Sequence, residues 1–341
     1  MKRNKKFVGT ILFICISLVV CLFGCVTVLA ADKEFTATFK IHTCALENRS
    51  MSIGMKFFAD AVTEKTNGRI KFEEYYAGVL CPGERESYEE LKAGNIDIIC
   101  VAASPMCSFV PEVGILDLNF LFKDYEHAHK VLWGEIGDKF LKDMEKAGFK
   151  GLGWYEDGFA YLSTSGKPVR HPEDVKGMRI RVMESPVLLY TWRDVLGSDA
   201  FPLSWAELYM ALQRGLAEGQ MNNVVTIVDH NFYEVQDYMN KVLPLYQAAP
   251  LVMDLDKFNA LPEDVQTLFW ETAHEVAPAA WDHYASIIAE YEQKCKDENL
   301  IEIIDDIDMQ EWMDAAAPAI KYFGIKNGWT ERIKEIQDLA K

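Results

Sequence analysis

Two arginines stand one residue apart in the segment Met178-Arg-Ile-Arg-Val182. In an extended strand the three apolar residues share one face, and Arg179 and Arg181 share the other. In open α/β sheets the carboxyl end of a strand borders the ligand crevice, where a planar guanidinium binds a carboxylate or sulfonate through two parallel hydrogen bonds. The segment therefore predicts an anion site at Arg181. The alternative is a solvated sheet face on which both arginines pair with surface acids.

Two segments that combine aromatic and polar residues follow, at 201–207 and 218–223. Trp205 opens a predicted helix and could form the wall of an apolar pocket, while Gly219 permits a tight turn that exposes Gln220 and Asn222. Taken alone, each segment has a simpler interpretation, because tryptophan at a helix start often packs in the core and asparagine after glycine often belongs to a turn.

Signatures of catalysis are missing from the sequence. It contains no HExxH or GxSxG motif, and its seven histidines are scattered. His127 and His129 lie two apart on a predicted helix, so they face different directions and cannot share a metal ion. We interpret both as solvated, and adjacent acids such as Glu156 and Asp157 likewise. The sequence predicts no catalytic residue, no metal and no cofactor.

The elements that position these residues alternate between strand and helix, which predicts an α/β fold. The spacing of Ser204 and Glu207 predicts a capping box at the start of a helix. We predict strands over 35–42, 69–75, 96–103, 149–155 and 178–182, helices over 51–66, 84–93, 126–147 and 204–214, and a largely helical tail from Pro262, broken near Pro278, Asn299 and Pro318.

The chain has 341 residues, of which 50% are hydrophobic and 26% are charged, enough for one large or two moderate domains. Residues 1–31 begin with a basic segment and continue as an apolar run, which predicts an export signal. Cleavage after Ala30 or Ala31 is the favoured interpretation. The alternatives are a lipid-anchored Cys25 and an uncleaved membrane anchor.

Without residues 1–31, the chain has 31 basic and 52 acidic residues, a net charge of about −21. Such an acidic surface excludes nucleic acid and anionic membranes as partners. The five remaining cysteines form no disulfide framework, and we interpret most of them as buried thiols, with one bridged pair as the alternative.

The order and spacing of several segments resemble the solute-binding proteins of tripartite ATP-independent periplasmic (TRAP) transporters, the dicarboxylate-binding-protein family. The resemblance extends over nearly all of the chain after the signal. It is seen in the segments Glu64–Ile70, Gly83–Glu86, Ala93–Asp97, Leu116–Phe122, Glu126–His129, Pro172–Gly177, Arg181–Pro186, Glu207–Gln213 and Glu218–Asn222.

The resemblance implies an exported receptor with a two-lobed periplasmic-binding-protein-like fold, a ligand cleft between the lobes and a long helical C-terminal region. We expect lobe I over 32–157 with about 247–286 returning to it, and lobe II over 158–246 completed by about 287–341. The ligand would be a small organic anion, delivered to small and large membrane subunits driven by an ion gradient. We expect a monomer.

The resemblance also assigns residues to the cleft: Arg181 as the anion clamp, Trp205 as the aromatic wall and Asn222 as the cleft asparagine. Met221 stands where relatives carry glutamate, and Ala160 stands where many relatives carry a second anion-binding arginine. We therefore expect one anionic head with a neutral or apolar remainder rather than a dicarboxylate held by two arginines. Further candidates for the cleft wall are His42, Ser104 and Tyr155.

Two other classes of protein share parts of this pattern. A receptor of an ABC-type transporter would use the same hinge and differ in its membrane subunits. An exported hydrolase or lyase on a similar scaffold would convert its ligand, whereas a receptor returns the ligand unchanged.

Overall fold

A computed structural model describes residues 34–340 of the chain. The predicted export signal at 1–31, and Cys25 within it, lie outside the described residues. No helix within 34–340 has both the length and the apolar character needed to cross a bilayer.

The chain alternates short strands and helices around two long strands. The strands are β1 (Ala37–His42), β2 (Ile70–Tyr75), β3 (Ile98–Cys100), β4 (Phe149–Thr164), β5 (Arg181–Val182), β6 (Phe201–Pro202), β7 (Gly219–Asn222), β8 (Tyr238–Asp254) and β9 (Glu302–Ile304).

The two longest helices within residues 34–340 lie in the last third of the chain. They are α1 (Ser50–Lys65), α2 (Glu84–Lys92), α3 (Tyr125–Leu132), α4 (Glu135–Met144), α5 (Pro186–Leu189), α6 (Leu208–Gln213), α7 (Val224–Asp229), α8 (Leu255–Asn259), α9 (Glu263–Asp297), α10 (Met309–Lys326) and α11 (Thr330–Asp338).

One sheet of seven strands runs in the order β2-β1-β3-β8-β4-β7, with β9 on β8. The long antiparallel strands β4 and β8 join its two halves. At one end, β8 pairs with β3 through 251–253, and at the other it pairs with β9 through 238–240 while β4 pairs with β7 through 161–164. Strands β5 and β6 form a separate pair beside β7.

The β4–β8 pairing is irregular where the halves meet. Its register shifts between Glu156 and Gly158 and again between Ala160 and Leu162. Gly158 has φ +79°, a left-handed backbone conformation that glycine adopts without strain. An added Cβ there would lie 2.8 Å from the Tyr125 hydroxyl oxygen. These irregularities place a bend between the halves of the sheet.

We expect Gly158→Ala to lower the free energy of unfolding by about 1–3 kcal/mol, because it combines a left-handed conformation with a steric contact. Urea denaturation measures the loss. Gly166→Ala is the matched control, since Gly166 has the same φ and nothing within 4 Å of its added Cβ. Equal losses in the two variants would contradict a steric role for Tyr125.

Buried hydrophobic clusters stabilise the part of the chain that the structure describes. One cluster, the first, is centred on Tyr88, Phe140 and Trp154, a second on Ile180, Trp192 and Trp312, and a third on Leu208, Phe232 and Tyr284. The C-terminal Trp329, Ile333 and Ile336 pack in the first cluster. The residue bounds of the two lobes stay a prediction.

Most predicted elements lie where the periodicity placed them, and the differences have local causes. The predicted helix over 126–147 is interrupted at Trp133 and Gly134, where α3 ends and α4 begins. Pro278 and Pro318 lie inside α9 and α10 and break neither helix. The predicted strand over 149–155 continues to Thr164, because β4 is buried along nearly its whole length.

Candidate functional site

A narrow cavity lies between the two halves of the molecule. Its volume is about 20 Å³, room for roughly one water molecule. The residues that line it lie at or beside the starts of α1 and α2, at or beside β5 and β7, in the central parts of β4 and β8, after β1 and β3, and before α6: Cys44, Ala45, Arg49, Met51, Glu84, Ala102, Asp157, Arg181, Met183, Trp205, Asn222 and Gln247.

Arg181 lies on β5 with its side chain buried, 3% exposed. Its Nε donates a 2.8 Å hydrogen bond to the Leu203 carbonyl oxygen, which fixes the plane of the guanidinium. Within residues 34–340 no carboxylate lies within 4 Å of Arg181, and its two terminal amino groups have no protein acceptor. Burial lowers the pKa of Arg181 to about 10, with Glu84 and Glu184 opposing the shift. A buried, oriented and charged fork therefore faces the cavity.

Arg179, on the same predicted strand face, has a different environment. Its guanidinium is exposed and binds the carbonyl oxygens of Gly215 and Leu216 and the Glu218 carboxylate. Only one of the two arginines in the motif reaches the cavity, so the prediction that both border the crevice is wrong for Arg179.

A second arginine, at the residue just before α1, lines the cavity. Arg49 forms a two-point ion pair with Asp157 on β4, and both side chains are at most 5% exposed. Burial opposes the charge on Arg49, but the Asp157 carboxylate outweighs it and raises the pKa of the guanidinium. Asn223 donates to the Asp157 carbonyl oxygen at 2.7 Å and fixes the backbone there. The charge of Arg49 is thus already balanced within the protein.

Glu84 begins α2 and faces the same cavity. Burial raises its pKa to about 7, while Arg181, a backbone hydrogen bond from Ala102 and the more distant Arg49 oppose the rise. The Asp157 carboxylate adds to it. At neutral pH Glu84 is therefore divided between its neutral and anionic forms.

Trp205 forms one wall of the cavity. Its ring makes edge-to-face contacts with His230 at 4.8 Å and Phe232 at 6.0 Å between ring centres. It lies in a short 3-10 turn, Trp205–Glu207, that precedes α6. The predicted capping box is wrong, because the Ser204 side chain makes no capping bond and the Glu207 amide binds the Ser204 carbonyl instead.

Asn222 and Gln247 add two buried carboxamides to the lining, 4% and 6% exposed. Asn222 ends β7 and donates from Nδ2 to Gln220 Oε1 at 2.6 Å. Gln247 lies opposite Gly158 in the β4–β8 ladder. Its Oε1 is buried without a hydrogen-bond partner among the described residues.

The structure thus brings Arg181, Trp205 and Asn222 together at one cavity and places four other predicted residues elsewhere. Met221 points to the opposite face of β7 and packs in the second hydrophobic cluster. Tyr155 lies against Gly54 and donates to the Ala273 carbonyl oxygen.

His42 and Ser104 also lie behind the lining rather than in it. The buried His42 ring is 3.3 Å from the Ser87 hydroxyl, and burial lowers its pKa to about 4. Ser104 donates to the Asp117 carboxylate at 2.6 Å. Cys44, two residues after His42, is the residue of that segment that reaches the cavity.

The prediction of solvated histidines and acids is wrong for His127, Glu156 and Asp157, which are all buried. Glu156 is 2% exposed and accepts from Tyr246 and His129, and the His129 ring stacks on Trp133 at 3.9 Å. His127 is buried and contacts the Ile336 carbonyl oxygen, so the two histidines do face different directions.

The five cysteines within the described residues are buried and free, as most were predicted to be. No group of three potential metal ligands occurs within residues 34–340.

Arg49, Asp157, Glu84 and Gln247 are the polar lining residues that the sequence did not single out. Arg49 precedes a helix in an unremarkable polar segment, and the other three lie among many similar residues.

Two α/β halves joined by two long strands, with a buried arginine between them, are typical of a solute-binding protein. A model of the bacterial extracellular solute-binding protein family 7 matches residues 42–327. The chain belongs to this family, the TRAP solute-binding proteins, which confirms the resemblance. Proteins of this family bind solutes for transport and are not enzymes.

Individual relatives agree with this membership. A solute-binding protein of Verminephrobacter eiseniae is 32% identical over 86% of this chain and 87% of its own length. A TRAP periplasmic solute-binding protein from Polaromonas sp. JS666, bound to D-erythronate, has a TM-score of 0.83 and 30% identity over 88% of this chain and 98% of that one. Another TRAP periplasmic solute-binding protein, from Sulfurospirillum deleyianum with bound succinate, has a TM-score of 0.80. It is 28% identical over 89% of this chain and 98% of that one. The two-lobed fold is therefore confirmed.

Proposed function

We propose that this protein is the exported receptor of a TRAP transporter, which binds one small organic anion between its lobes and delivers it to small and large membrane subunits. The observation that carries the proposal is the Arg181 guanidinium, which is buried, oriented by the Leu203 carbonyl and without a carboxylate within 4 Å in residues 34–340. A buried cation is costly unless an anion completes it.

The charges of the lining residues favour a monoanion. Arg49 and Asp157 cancel each other, so Arg181 supplies the only net positive charge among the lining residues. Glu84, when ionised, offsets that charge as well. A second carboxylate on the ligand would have no cation to pair with and would face an acidic side chain, which makes a dicarboxylate unfavourable.

Ligand entry requires the walls to separate, since a cavity of about 20 Å³ is too small for any organic acid. The register shifts near Gly158 supply a bend about which the lobes can move. Ligand contacts from both lobes, with Arg181 on β5 as the anion-binding contact, then favour the closed form when the ligand is present.

A thermal-shift screen of carboxylates, sugar acids and sulfonates tests the proposal. A ligand at about 100 times its Kd stabilises the protein by roughly 2.7 kcal/mol. We expect at least one organic monoanion to raise the melting temperature. Mass spectrometry after long incubation should recover it unchanged, and conversion of the acid would support an exported hydrolase or lyase instead.

The pH dependence of binding is expected to follow Glu84. The ligand carboxylate, with a pKa of about 4, stays ionised above pH 6. A bound anion raises the pKa of Glu84 further, so binding takes up a proton and affinity falls severalfold as the pH rises through 7. Titration calorimetry from about pH 6 to pH 8 with the tightest acid of the screen measures this fall.

Glu84→Gln is the control for that titration. Its amide cannot ionise, so we expect a flat profile and tighter binding than the parent at the upper pH. An unchanged pH profile in this variant would assign the titration to another group.

A further inference from the structure

A second cavity, larger and more apolar than the anion site, lies between residues 120–125, the bend of β4 and β8, and the C-terminal helices. Its volume is about 680 Å³, within the range of ligand-binding cavities in proteins. No described residue lines both cavities. We call this space the apolar cavity, because its wall consists mostly of aromatic and aliphatic side chains, among them Phe120, Phe159, Leu243, Met309 and Met313.

The apolar cavity lies where two separately packed parts of the chain meet. Met313 on α10 follows Trp312, which packs in the second hydrophobic cluster. Gln337 on α11 follows Ile336, which packs in the first cluster. The two helices are therefore anchored by different clusters, and the side chains between them leave the space unfilled. Met313 is 42% exposed, so the cavity opens to solvent at α10.

Two bulky residues with left-handed backbone conformations form part of the wall. Phe120 has φ +60° and Leu243 has φ +47°, conformations that are strained for large side chains. The Pro244 carbonyl oxygen holds both segments, since it accepts from the Phe120 amide at 2.8 Å and from Asn119 Nδ2 at 3.1 Å. Backbone strain persists only where surrounding contacts fix it, and it is concentrated at functional sites. The wall is thus held by hydrogen bonds rather than by packing into the cavity.

The charged residues of the lining indicate the charge of a ligand. Asp124 is the N-cap of α3, and its carboxylate accepts from the His127 amide at 2.8 Å. The adjacent Lys123 is exposed, and among residues 34–340 no carboxylate lies within 4 Å of its ammonium group. A cation without a carboxylate partner beside an apolar cavity matches a molecule with an apolar body and one anionic group.

We propose that the apolar cavity binds a free fatty acid of medium chain length, with its acyl chain against Phe159 and Met313 and its carboxylate next to Lys123. A ten-carbon acid needs roughly 360 Å³, at about 30 Å³ for each non-hydrogen atom, so it fits the cavity. This site is additional to the proposed anion site at Arg181.

Titration calorimetry with sodium decanoate, below the concentration at which it forms micelles, tests the inference. We expect decanoate to bind about tenfold or more tightly than hexanoate, because each further buried methylene adds to the binding. Arg181→Met lacks the cation of the proposed anion site and should still bind one decanoate per chain. If decanoate does not bind the parent, or no longer binds a cooperatively unfolding Arg181→Met protein, the inference is wrong.

Met313→Glu locates the site on the molecule. It places a carboxylate at the solvent-exposed edge of the apolar cavity, where we expect it to weaken decanoate binding about tenfold or more. Met210→Glu is the matched control, because Met210 is also 42% exposed but lies on α6, outside this lining. Its affinity for decanoate should stay within about twofold of the parent. Equal affinities in the two variants would place decanoate elsewhere and overturn the inference.

Two other decyl compounds test the role of Lys123. Decanol has the same chain length with a neutral head group, and decyltrimethylammonium has a cationic one. We expect decanol to bind about threefold more weakly than decanoate, the effect of one exposed charge pair, and the cation to bind more weakly still. In Lys123→Met the advantage of decanoate over decanol should disappear. Tighter binding of the cation, or an unchanged advantage in Lys123→Met, would overturn the assignment of an anionic head group.

Cosedimentation with phosphatidylcholine vesicles distinguishes a free acid from a membrane lipid as the source of the acyl chain. We expect the protein to stay in the supernatant. Vesicle binding that Met313→Glu abolishes would show that the apolar cavity takes acyl chains from a membrane, and would overturn the assignment to a free acid.

Discussion

Replacing Arg181 with alanine is expected to weaken binding of the cognate acid by about 3 kcal/mol or more, over a hundredfold in Kd. The ligand carboxylate would lose both hydrogen bonds of the fork and remain in a buried site without a cation. Arg181→Lys should lose nearly as much, because an ammonium group cannot reproduce the planar two-point contact. Titration calorimetry with the best acid from the screen measures both losses.

Arg179→Ala is the matched control, since Arg179 lies two residues away with its guanidinium at the surface. Its Kd should stay within about twofold of the parent. Undiminished binding by Arg181→Ala would overturn the assignment of the anion site.

Removing the charge of Arg181 should have the opposite effect on the stability of the unliganded protein. Burial lowers the pKa of Arg181 to about 10, which means that the folded protein holds this charge at a cost. Arg181→Met keeps most of the side-chain volume and removes the charge. We therefore expect its melting temperature without ligand to equal or exceed that of the parent, while ligand-induced stabilisation disappears.

The second large effect is expected at the buried pair of Arg49 and Asp157. Asp157→Asn leaves the Arg49 guanidinium buried without a counter-charge, at a cost of about 3–5 kcal/mol in the free energy of unfolding. Arg49→Met leaves a buried carboxylate, which can limit its own cost by taking up a proton. Urea denaturation measures both losses.

A double-mutant cycle measures the interaction energy between Arg49 and Asp157 separately from their contacts with other residues. Arg49→Met combined with Asp157→Asn removes both charges, so its loss should be smaller than the sum of the two single losses. Lys56→Met is a control at an exposed ion pair with Asp60, and it should change stability by about 0.5 kcal/mol or less. Additive losses at Arg49 and Asp157 would show that the two residues stabilise the fold independently.

Whether a predicted cleft residue lines the cavity depends on whether its position is determined by neighbouring residues in the sequence. Arg181, Trp205 and Asn222 were predicted from short segments, and the backbone around each is determined within a few residues. Met221 was predicted to lie beside Asn222, but neighbouring residues of a strand face opposite sides, so it packs in the core. His42 and Ser104 lie behind the residues that line the cavity. The neighbouring sequence does not show whether a buried residue lines a cavity or lies behind its lining.

The amino-acid sequence by itself determined the alternation of strands and helices, the membership of the solute-binding protein family and the arginine that we propose receives the anion. These depend on periodicity and on contiguous motifs. Tertiary structure alone decided the charge and polarity of the site. Arg49 meets Asp157 across 108 residues of chain, and Asn222 bonds to Gln220, which bonds in turn to Ser163 on β4. Contacts between such distant residues depend on how the sheet brings its strands together, and that arrangement leaves no pattern in the neighbouring sequence.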